Sequence, residues 1–151
     1  MSRSGVRIGV DVGSVRVGVA ISDPSGLLAT PLVTLARDSA RDTDIDRLVE
    51  LVAEYDAVEI VVGLPRSLSG REGPAAETAR RYAATLANRA EPVPVRLTDE
   101  RLTTVSATRT LAAQGVRGRR QRAVIDQAAA VLILQTWLDS RRSGTVRDRD
   151  E

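Results

Sequence analysis

Carboxylates, hydroxyls and arginines are the side chains left for catalysis in this sequence of 151 residues, which contains no histidine, lysine or cysteine. These absences exclude a Ser-His-Asp triad, a Cys/His zinc site, a Schiff-base lysine and a P-loop lysine. They also exclude a disulfide framework. Carboxylate oxygens prefer hard cations, so a metal held by this chain is expected to be Mg²⁺ or Mn²⁺.

Asp11 is the first candidate for such chemistry. It lies late in a predicted strand, whose alternation places Gly9 and Gly13 on the same face. Gly18 and Ala20, across a predicted hairpin, are also small. Small neighbours can leave space beside a carboxylate for an ion or a substrate. Alternatively, these residues only allow a helix to pack closely, and the sequence leaves both interpretations open.

Glu100 and Asp126 are two further candidates. Glu100 ends a predicted strand, where sites on open α/β sheets occur, although a single acid there could instead complement a helix dipole. Asp126 precedes seven apolar residues (128–134) that predict a largely buried helix. A carboxylate entering such a helix must be paired, protonated or bound to metal. The alternative for Asp126 is an exposed position or a pair with a nearby arginine.

Charge is unevenly distributed, although the net charge is only +2. Residues 38–59 contain eight acids and two arginines. By contrast, residues 101–125 contain no acid and six arginines, namely Arg101, Arg109, Arg117, Arg119, Arg120 and Arg122. This basic segment suits an anionic partner such as nucleic acid, or is simply a solvated surface. With one Trp, two Tyr and no Phe, recognition by stacking bases on aromatic platforms is not expected.

Five strands and four helices are predicted around these residues. The strands cover residues 6–12, 16–22, 27–35, 58–65 and 92–101, the last with Val93, Val95 and Leu97 on one face. The first helix ends near Asp56, with Tyr55 on its apolar face and acids on the other, and the second begins at Pro74. A third runs from residue 103 or 104 to 115 and a last from about 121 to 140. An antiparallel meander followed by crossover helices indicates an α/β domain with a mixed sheet.

One domain is expected over residues 1–140, followed by a disordered tail over residues 141–151. The longest apolar run has seven residues, far fewer than the roughly 20 that a membrane helix needs. The N-terminal residues also lack the apolar core of a signal peptide. We therefore expect a cytoplasmic protein without a membrane partner.

Four segments, DVGSVRVGVAISD, VVGLP, TDERLTT and IDQAAAVLIL, follow one another in this order between about Arg7 and Leu138. Together they resemble the YqgF/RuvX family, described as nucleases of pre-16S rRNA and earlier as Holliday junction resolvases. The resemblance implies an RNase H-like fold with a five-stranded mixed sheet flanked by helices. It also implies that Asp11, Glu100 and Asp126 form a catalytic acidic cluster that binds two Mg²⁺ or Mn²⁺ ions.

The function implied by the resemblance is metal-dependent hydrolysis of phosphodiester bonds in structured nucleic acid. Processing of the 5′ end of pre-16S rRNA is the first expectation, and cleavage of branched DNA is the alternative. Two cations can activate the attacking water and stabilise the leaving oxygen. Contacts to phosphate are expected from Arg16, Arg101, Arg117, Arg119, Arg120 and Arg122. A homodimer would suit symmetric cutting of a junction, and no sequence feature identifies its interface.

Two other classes of protein share some of these features. The actin/Hsp70/sugar-kinase ATPases also begin with a strand, a DxG motif and a hairpin, but they enclose a nucleotide between two such domains, and 151 residues cannot supply both. A non-catalytic adaptor would bind nucleic acid through the arginine-rich segment and use its acids only structurally. For an adaptor, replacing Asp11 changes stability and leaves function intact.

Overall fold

The computed structural model describes residues 4–66, 69–100 and 119–142, and of residues 119–123 it describes the backbone alone. The strands in this part of the chain are β1 (Arg7–Val12), β2 (Arg16–Ser22), β3 (Ala29–Ala36), β4 (Glu59–Leu64) and β5 (Val95–Asp99). The helices are α1 (Thr43–Glu54), α2 (Pro74–Ala90) and α3 (Arg119–Arg142). Among the described helices, none has the length and apolar character needed to cross a membrane.

The five strands form one mixed sheet in the order β3-β2-β1-β4-β5. β1, β2 and β3 are antiparallel neighbours, whereas β4 runs parallel to both β1 and β5. This arrangement confirms the predicted meander and the predicted crossovers. It places β1, and therefore Asp11, in the middle of the sheet.

The alternation of β1 divides the core between the two faces of the sheet. Ile8 and Val10 belong to a buried cluster with apolar residues of α1 and α2. On the other face, α3 packs on the sheet through a second cluster that includes Ile133 and Leu134. Asp11 is buried on this second face, with 5% of its surface exposed.

Glycines allow α3 to approach the sheet closely. A Cβ on Gly9 would stand 2.7 Å from Cβ of Leu134, and a Cβ on Gly18 would overlap the carbonyl oxygen of Asp126. The expectation that these small residues leave open space beside Asp11 is therefore wrong at Gly9 and Gly18. Their absent side chains make room for the helix backbone, as the alternative interpretation held.

The prediction that the acids of α1 face solvent is wrong for Asp44, which is only 3% exposed. Its carboxylate accepts hydrogen bonds from the Tyr82 hydroxyl at 2.7 Å, from Arg37 Nη1 at 2.9 Å and from the backbone N–H of Asp38 at 3.1 Å. A buried carboxylate is tolerated when its oxygens are satisfied in this way. Tyr55, predicted on the apolar face, instead follows the end of α1 and is 42% exposed.

Two predicted boundaries and two predicted burials also differ. β5 begins at Val95 rather than at residue 92, because prolines at 92 and 94 cannot donate to a strand ladder, and Leu97 is 38% exposed. α3 is buried on one side rather than all round, since Ala128 is exposed. It continues to Arg142, so a tail begins no earlier than residue 143. The predicted disorder of that tail and the predicted helix over residues 103–115 lie outside the described residues.

Candidate active site

The site is built around Asp11, near the C-terminal end of the central strand. In the antiparallel ladder Asp11 lies opposite Gly18 of β2. In the parallel ladder Val10 lies opposite Val62, so the next step along the same register sets Asp11 beside Gly63 of β4. Asp11 is therefore flanked by a glycine on each neighbouring strand, at the usual strand spacing of about 4.8 Å.

Each of the two flanking glycines lies beneath another acidic residue. A Cβ on Gly18 would overlap the backbone of Asp126, which identifies the segment of α3 that crosses this strand. A Cβ on Gly63 would stand 2.8 Å from Oε2 of Glu100 and 2.6 Å from Cδ1 of Ile133. Glu100 follows β5 directly and is 4% exposed. Its carboxylate thus lies between β4 and α3.

Asp126, Asp11 and Glu100 consequently lie side by side on one face, over β2, β1 and β4 respectively. We refer to these three residues as the acidic row. The row lies at the edge formed by the C-terminal ends of the parallel strands, where open α/β sheets commonly bind ligands. The structure brings all three sequence-predicted acids to this place, from residues far apart in the chain.

Asp126 is held by an arginine in this structure. Nε of Arg16 donates to Oδ2 of Asp126 at 2.7 Å, and the two side chains are 26% and 19% exposed. The sequence left open a pair between Asp126 and a nearby arginine, and the observed partner instead comes from β2. Within the ranges that the structure describes, no three acidic side chains lie close enough together to hold a metal ion as they stand.

The donor set of the acidic row nevertheless fits Mg²⁺ or Mn²⁺. Its three side chains offer carboxylate oxygens alone, the ligands that these hard cations prefer. The absent side chain of Gly63 makes room for the carboxylate of Glu100 itself and for Cδ1 of Ile133. A cation shared by the row would require the Asp126 carboxylate to leave Arg16 and turn toward Asp11.

A second arginine, which the sequence reasoning missed, lies beside the end of β5. Arg66 follows β4, and its Nη1 contacts Oδ2 of Asp99 at 3.5 Å while its Nη2 donates to Oε2 of Glu72 at 2.9 Å. Glu72 also accepts two hydrogen bonds from Arg80. These charged partners, Arg80 first, lower the pKa of Glu72 to about 2. The position of Arg66 just after a buried parallel strand was the available signal.

The other arginines predicted to contact phosphate cannot be compared with the structure. Arg101 and Arg117 lie outside the described residues. Arg119, Arg120 and Arg122 lie in the first turn and a half of α3, where the backbone alone is described. Their role stays a prediction.

A comparison with solved structures identifies the class of this fold. The chain matches T. thermophilus RuvC in complex with a Holliday junction substrate with a TM-score of 0.57 and 18% identity, over 93% of this chain and 97% of that one. RuvC is RNase H-like, so the fold is an RNase H-like α/β fold, as predicted. At this identity the likeness concerns the fold alone.

Sequence comparisons identify the family. The family model described as "RuvX: Holliday junction resolvase" matches residues 5–140. A protein of Mycobacterium sp. strain KMS named "Putative pre-16S rRNA nuclease" is 62% identical over 139 residues, which cover 92% of this chain and 82% of that protein. A protein of the same name from Frankia casuarinae is 64% identical over 137 residues, 91% of this chain and 68% of that protein. The chain therefore belongs to the RuvX family, which confirms the resemblance.

Proposed function

We propose that this chain is a nuclease that hydrolyses phosphodiester bonds at the acidic row with the help of Mg²⁺ or Mn²⁺, two ions in the loaded site. We further propose that its substrate is structured RNA, and that the reaction processes the 5′ end of pre-16S rRNA. The name of the bacterial relatives supports this choice of substrate. A ribosomal-precursor substrate would also place the protein in the cytoplasm.

The observation that carries the proposal is the position of Asp11 between Gly18 and Gly63, with Asp126 above one glycine and Glu100 above the other. Three carboxylates from three different elements meet at the C-terminal edge of the sheet, and two of them are buried. This is the donor set with which proteins hold hard divalent cations. Divalent cations would supply activation of water and stabilisation of the charge on the leaving oxygen.

The carboxylates of the row would hold the cations, and arginines would orient the phosphates of the substrate. Asp11 is fixed by its central strand and Glu100 by the end of β5, so their carboxylates are preorganised. Asp126 is the adjustable member, because its present partner is the partly exposed Arg16. Once released, the Arg16 guanidinium would be free to contact a phosphate of the strand being cut. Arg66, which contacts Asp99 at the end of β5, is a candidate for a second phosphate contact.

Cleavage of branched DNA is a second candidate. The description of the family model and the fold shared with RuvC favour it. The same row would serve either substrate, since phosphodiester hydrolysis needs no contact that distinguishes ribose from deoxyribose. A symmetric junction would require two such sites in a homodimer.

The test is cleavage of two labelled substrates, a pre-16S rRNA fragment spanning the mature 5′ end and a four-way DNA junction, each with Mg²⁺, Mn²⁺ or EDTA. We compare the wild-type protein with Asp11→Asn and with the control Asp56→Asn. Asp56 is exposed and has a φ of 54°, which asparagine also adopts, so this control preserves the backbone. We expect metal-dependent cleavage of the RNA that Asp11→Asn abolishes and Asp56→Asn retains.

Other outcomes change the conclusion. Cleavage of the junction alone would replace the RNA substrate by branched DNA. If the protein binds the RNA with undiminished affinity but cleaves neither substrate with either metal, the nuclease proposal is wrong and the adaptor function takes its place.

A further inference from the structure

A cavity of about 190 Å³ lies at the end of the molecule opposite the acidic row. Its lining includes Arg7, Trp137, Arg141 and Arg142, together with the turn between β2 and β3. Arg7 begins the strand on which Asp11 lies four residues later, roughly 13 Å further along. Along α3, fifteen residues or roughly 22 Å separate Asp126 from Arg141. The cavity is therefore distinct from the proposed active site.

Two of the three arginines share one aromatic ring. The guanidinium carbon of Arg141 lies 4.8 Å from the centroid of the Trp137 ring, and that of Arg7 lies 5.9 Å from it. Such cation–π contacts hold guanidinium groups in place and leave their edges for hydrogen bonding. Because these arginines occupy the ring, the cavity does not offer it to a stacking base. It presents guanidinium edges instead.

Hydrogen bonds hold the side chains of Arg7 and Arg142 in the wall of the cavity. Arg7 is 5% exposed, and its Nε donates to Glu59 at 2.9 Å while its Nη1 donates to the carbonyl of Gly5 at 3.1 Å. Arg142 donates from Nη1 to the carbonyl of Gly26 at 3.0 Å, which joins the end of α3 to the turn between β2 and β3. The basic groups are thus held in place rather than free to spread into solvent.

Three acids lie near the cavity in the described part of the chain. Glu59 is shared between Arg7 and Arg96, at 2.9 Å and 3.1 Å. Asp139 pairs with Arg142. The carboxylate of Asp23 accepts hydrogen bonds from the backbone N–H groups of residues 27 and 28 in the following turn. Among the described residues, four arginines and three acids lie around the cavity, and three of the arginines line it.

We propose that this cavity binds a phosphate group, either free or carried by a nucleic acid strand. Guanidinium groups match phosphate oxygens in geometry and charge, and three of them line this cavity. A volume of about 190 Å³ is ample for one such group, since a single water needs only about 10–15 Å³ measured in the same way. The proposal does not depend on the nuclease activity, because no residue of the acidic row takes part.

Trp137 is the only tryptophan of the chain, so its fluorescence reports directly on the cavity. The experiment is a titration of the full chain with inorganic phosphate, with ionic strength held constant by chloride. We expect a saturable change in Trp137 emission, with affinity at least tenfold weaker in Arg141→Gln and Arg142→Gln. Arg81→Gln is the matched control, because Arg81 is exposed on α2 and its guanidinium lies 3.9 Å from Glu77, away from the cavity. Asp11→Asn should also bind phosphate normally.

Oligonucleotides identify the source of the phosphate. Tighter binding of a 5′-phosphorylated RNA than of its 5′-hydroxyl form, lost in Arg141→Gln, would indicate a terminal phosphate. If the 5′-phosphorylated and 5′-hydroxyl RNAs bind equally tightly and Arg141→Gln weakens both, the site binds a backbone phosphate. If the protein responds to inorganic phosphate but to neither RNA, the site binds the free ion. The proposal is wrong if wild-type emission shows no saturable change. It is also wrong if both arginine variants bind phosphate as the wild type does and circular dichroism shows that they are folded.

Discussion

Nε of Arg16 lies 2.7 Å from Oδ2 of Asp126, which joins the first residue of β2 to α3 across 110 positions of the sequence. The backbone on which Arg16 lies is itself fixed, because the N–H of Gly13 donates to the carbonyl of Arg16 at 2.9 Å. The guanidinium therefore neutralises the one member of the acidic row that is not deeply buried. In the proposed nuclease it competes with a metal ion for the same carboxylate.

Replacing Arg16 should therefore strengthen metal binding. A partly exposed ion pair is worth about 1 kcal/mol, so Arg16→Gln should bind Mn²⁺ about fivefold more tightly by isothermal titration calorimetry. Cleavage should become slower in the same variant, since a phosphate contact is lost. Arg89→Gln is the control, because Arg89 pairs with the exposed Asp46 of α1 and with Asp42 just before it, on the face of the sheet opposite to the row. Weaker Mn²⁺ binding by Arg16→Gln would mean that Arg16 supports the metal site instead of competing with it.

Removing one charge of the acidic row should not destabilise the metal-free protein. Asp11 and Glu100 are both buried at the same edge, and like charges a few ångströms apart repel by on the order of 1 kcal/mol. We expect the unfolding free energy of Asp11→Asn in EDTA to equal that of the wild type or exceed it by about this amount. Thermal unfolding would show a rise of about 2–4 °C. A fall of similar size would indicate that Asp11 is structural, as the adaptor hypothesis requires.

The position of Asp11 could be predicted from the sequence because it depends only on the alternation of one strand. The mixed sheet, with an antiparallel meander and a parallel side, could be predicted as well, since hairpins and crossover helices follow from the order and length of the elements. The ion pair between Arg16 and Asp126 could not. It depends on how α3 is rotated on the sheet, which glycine contacts at Gly9 and Gly18 determine in three dimensions.

The burial of Asp44 illustrates the same limit within the core. Helical periodicity assigns a residue to a face but does not show which polar partners lie opposite it. Asp44 is tolerated inside because Arg37 and Tyr82 come from other elements to satisfy it. The close approach of Glu100 to Gly63 could not be predicted either, because it depends on how the end of β5 lies against β4 and not on either segment alone.

Adding one methyl group at Gly18 should disturb the packing of α3. The new Cβ would overlap the carbonyl oxygen of Asp126, and backbone cannot move aside as the end of a side chain can. We expect Gly18→Ala to lose about 1–3 kcal/mol of unfolding free energy in urea denaturation. Gly73→Ala is the matched control, with no atom within 4 Å of the added Cβ, and it should change stability by less than about 0.5 kcal/mol. Equal effects of both substitutions would contradict the close approach of α3.

Tyr82 should resist ionisation at alkaline pH. Burial, and then the hydrogen bond to the Asp44 carboxylate, raise the pKa of Tyr82 above its ordinary value near 10. The folded state therefore keeps a proton that the unfolded state releases, so this stabilisation is full below about pH 10 and declines as the pH rises further. In a Tyr55→Phe background, Tyr82 is the only tyrosine, and tyrosinate absorbance at 295 nm should appear only with unfolding. A reversible transition near pH 10 with the fold intact would contradict this.

The ion pairs of Glu72 with Arg80 and Arg66 should persist at acidic pH. The hydrogen bonds from Arg80, followed by the charges of Arg80 and Arg66, lower the pKa of Glu72 from 4.5 to about 2. A carboxylate with a lowered pKa keeps its contacts above the unfolded value and loses them as the pH falls through the folded one, so the change should occur near pH 2. Carbon-detected NMR of the Glu72 carboxyl group measures this directly. In Arg80→Gln the transition should move toward 4.5, and an unchanged transition would show that Arg80 does not hold Glu72 in solution.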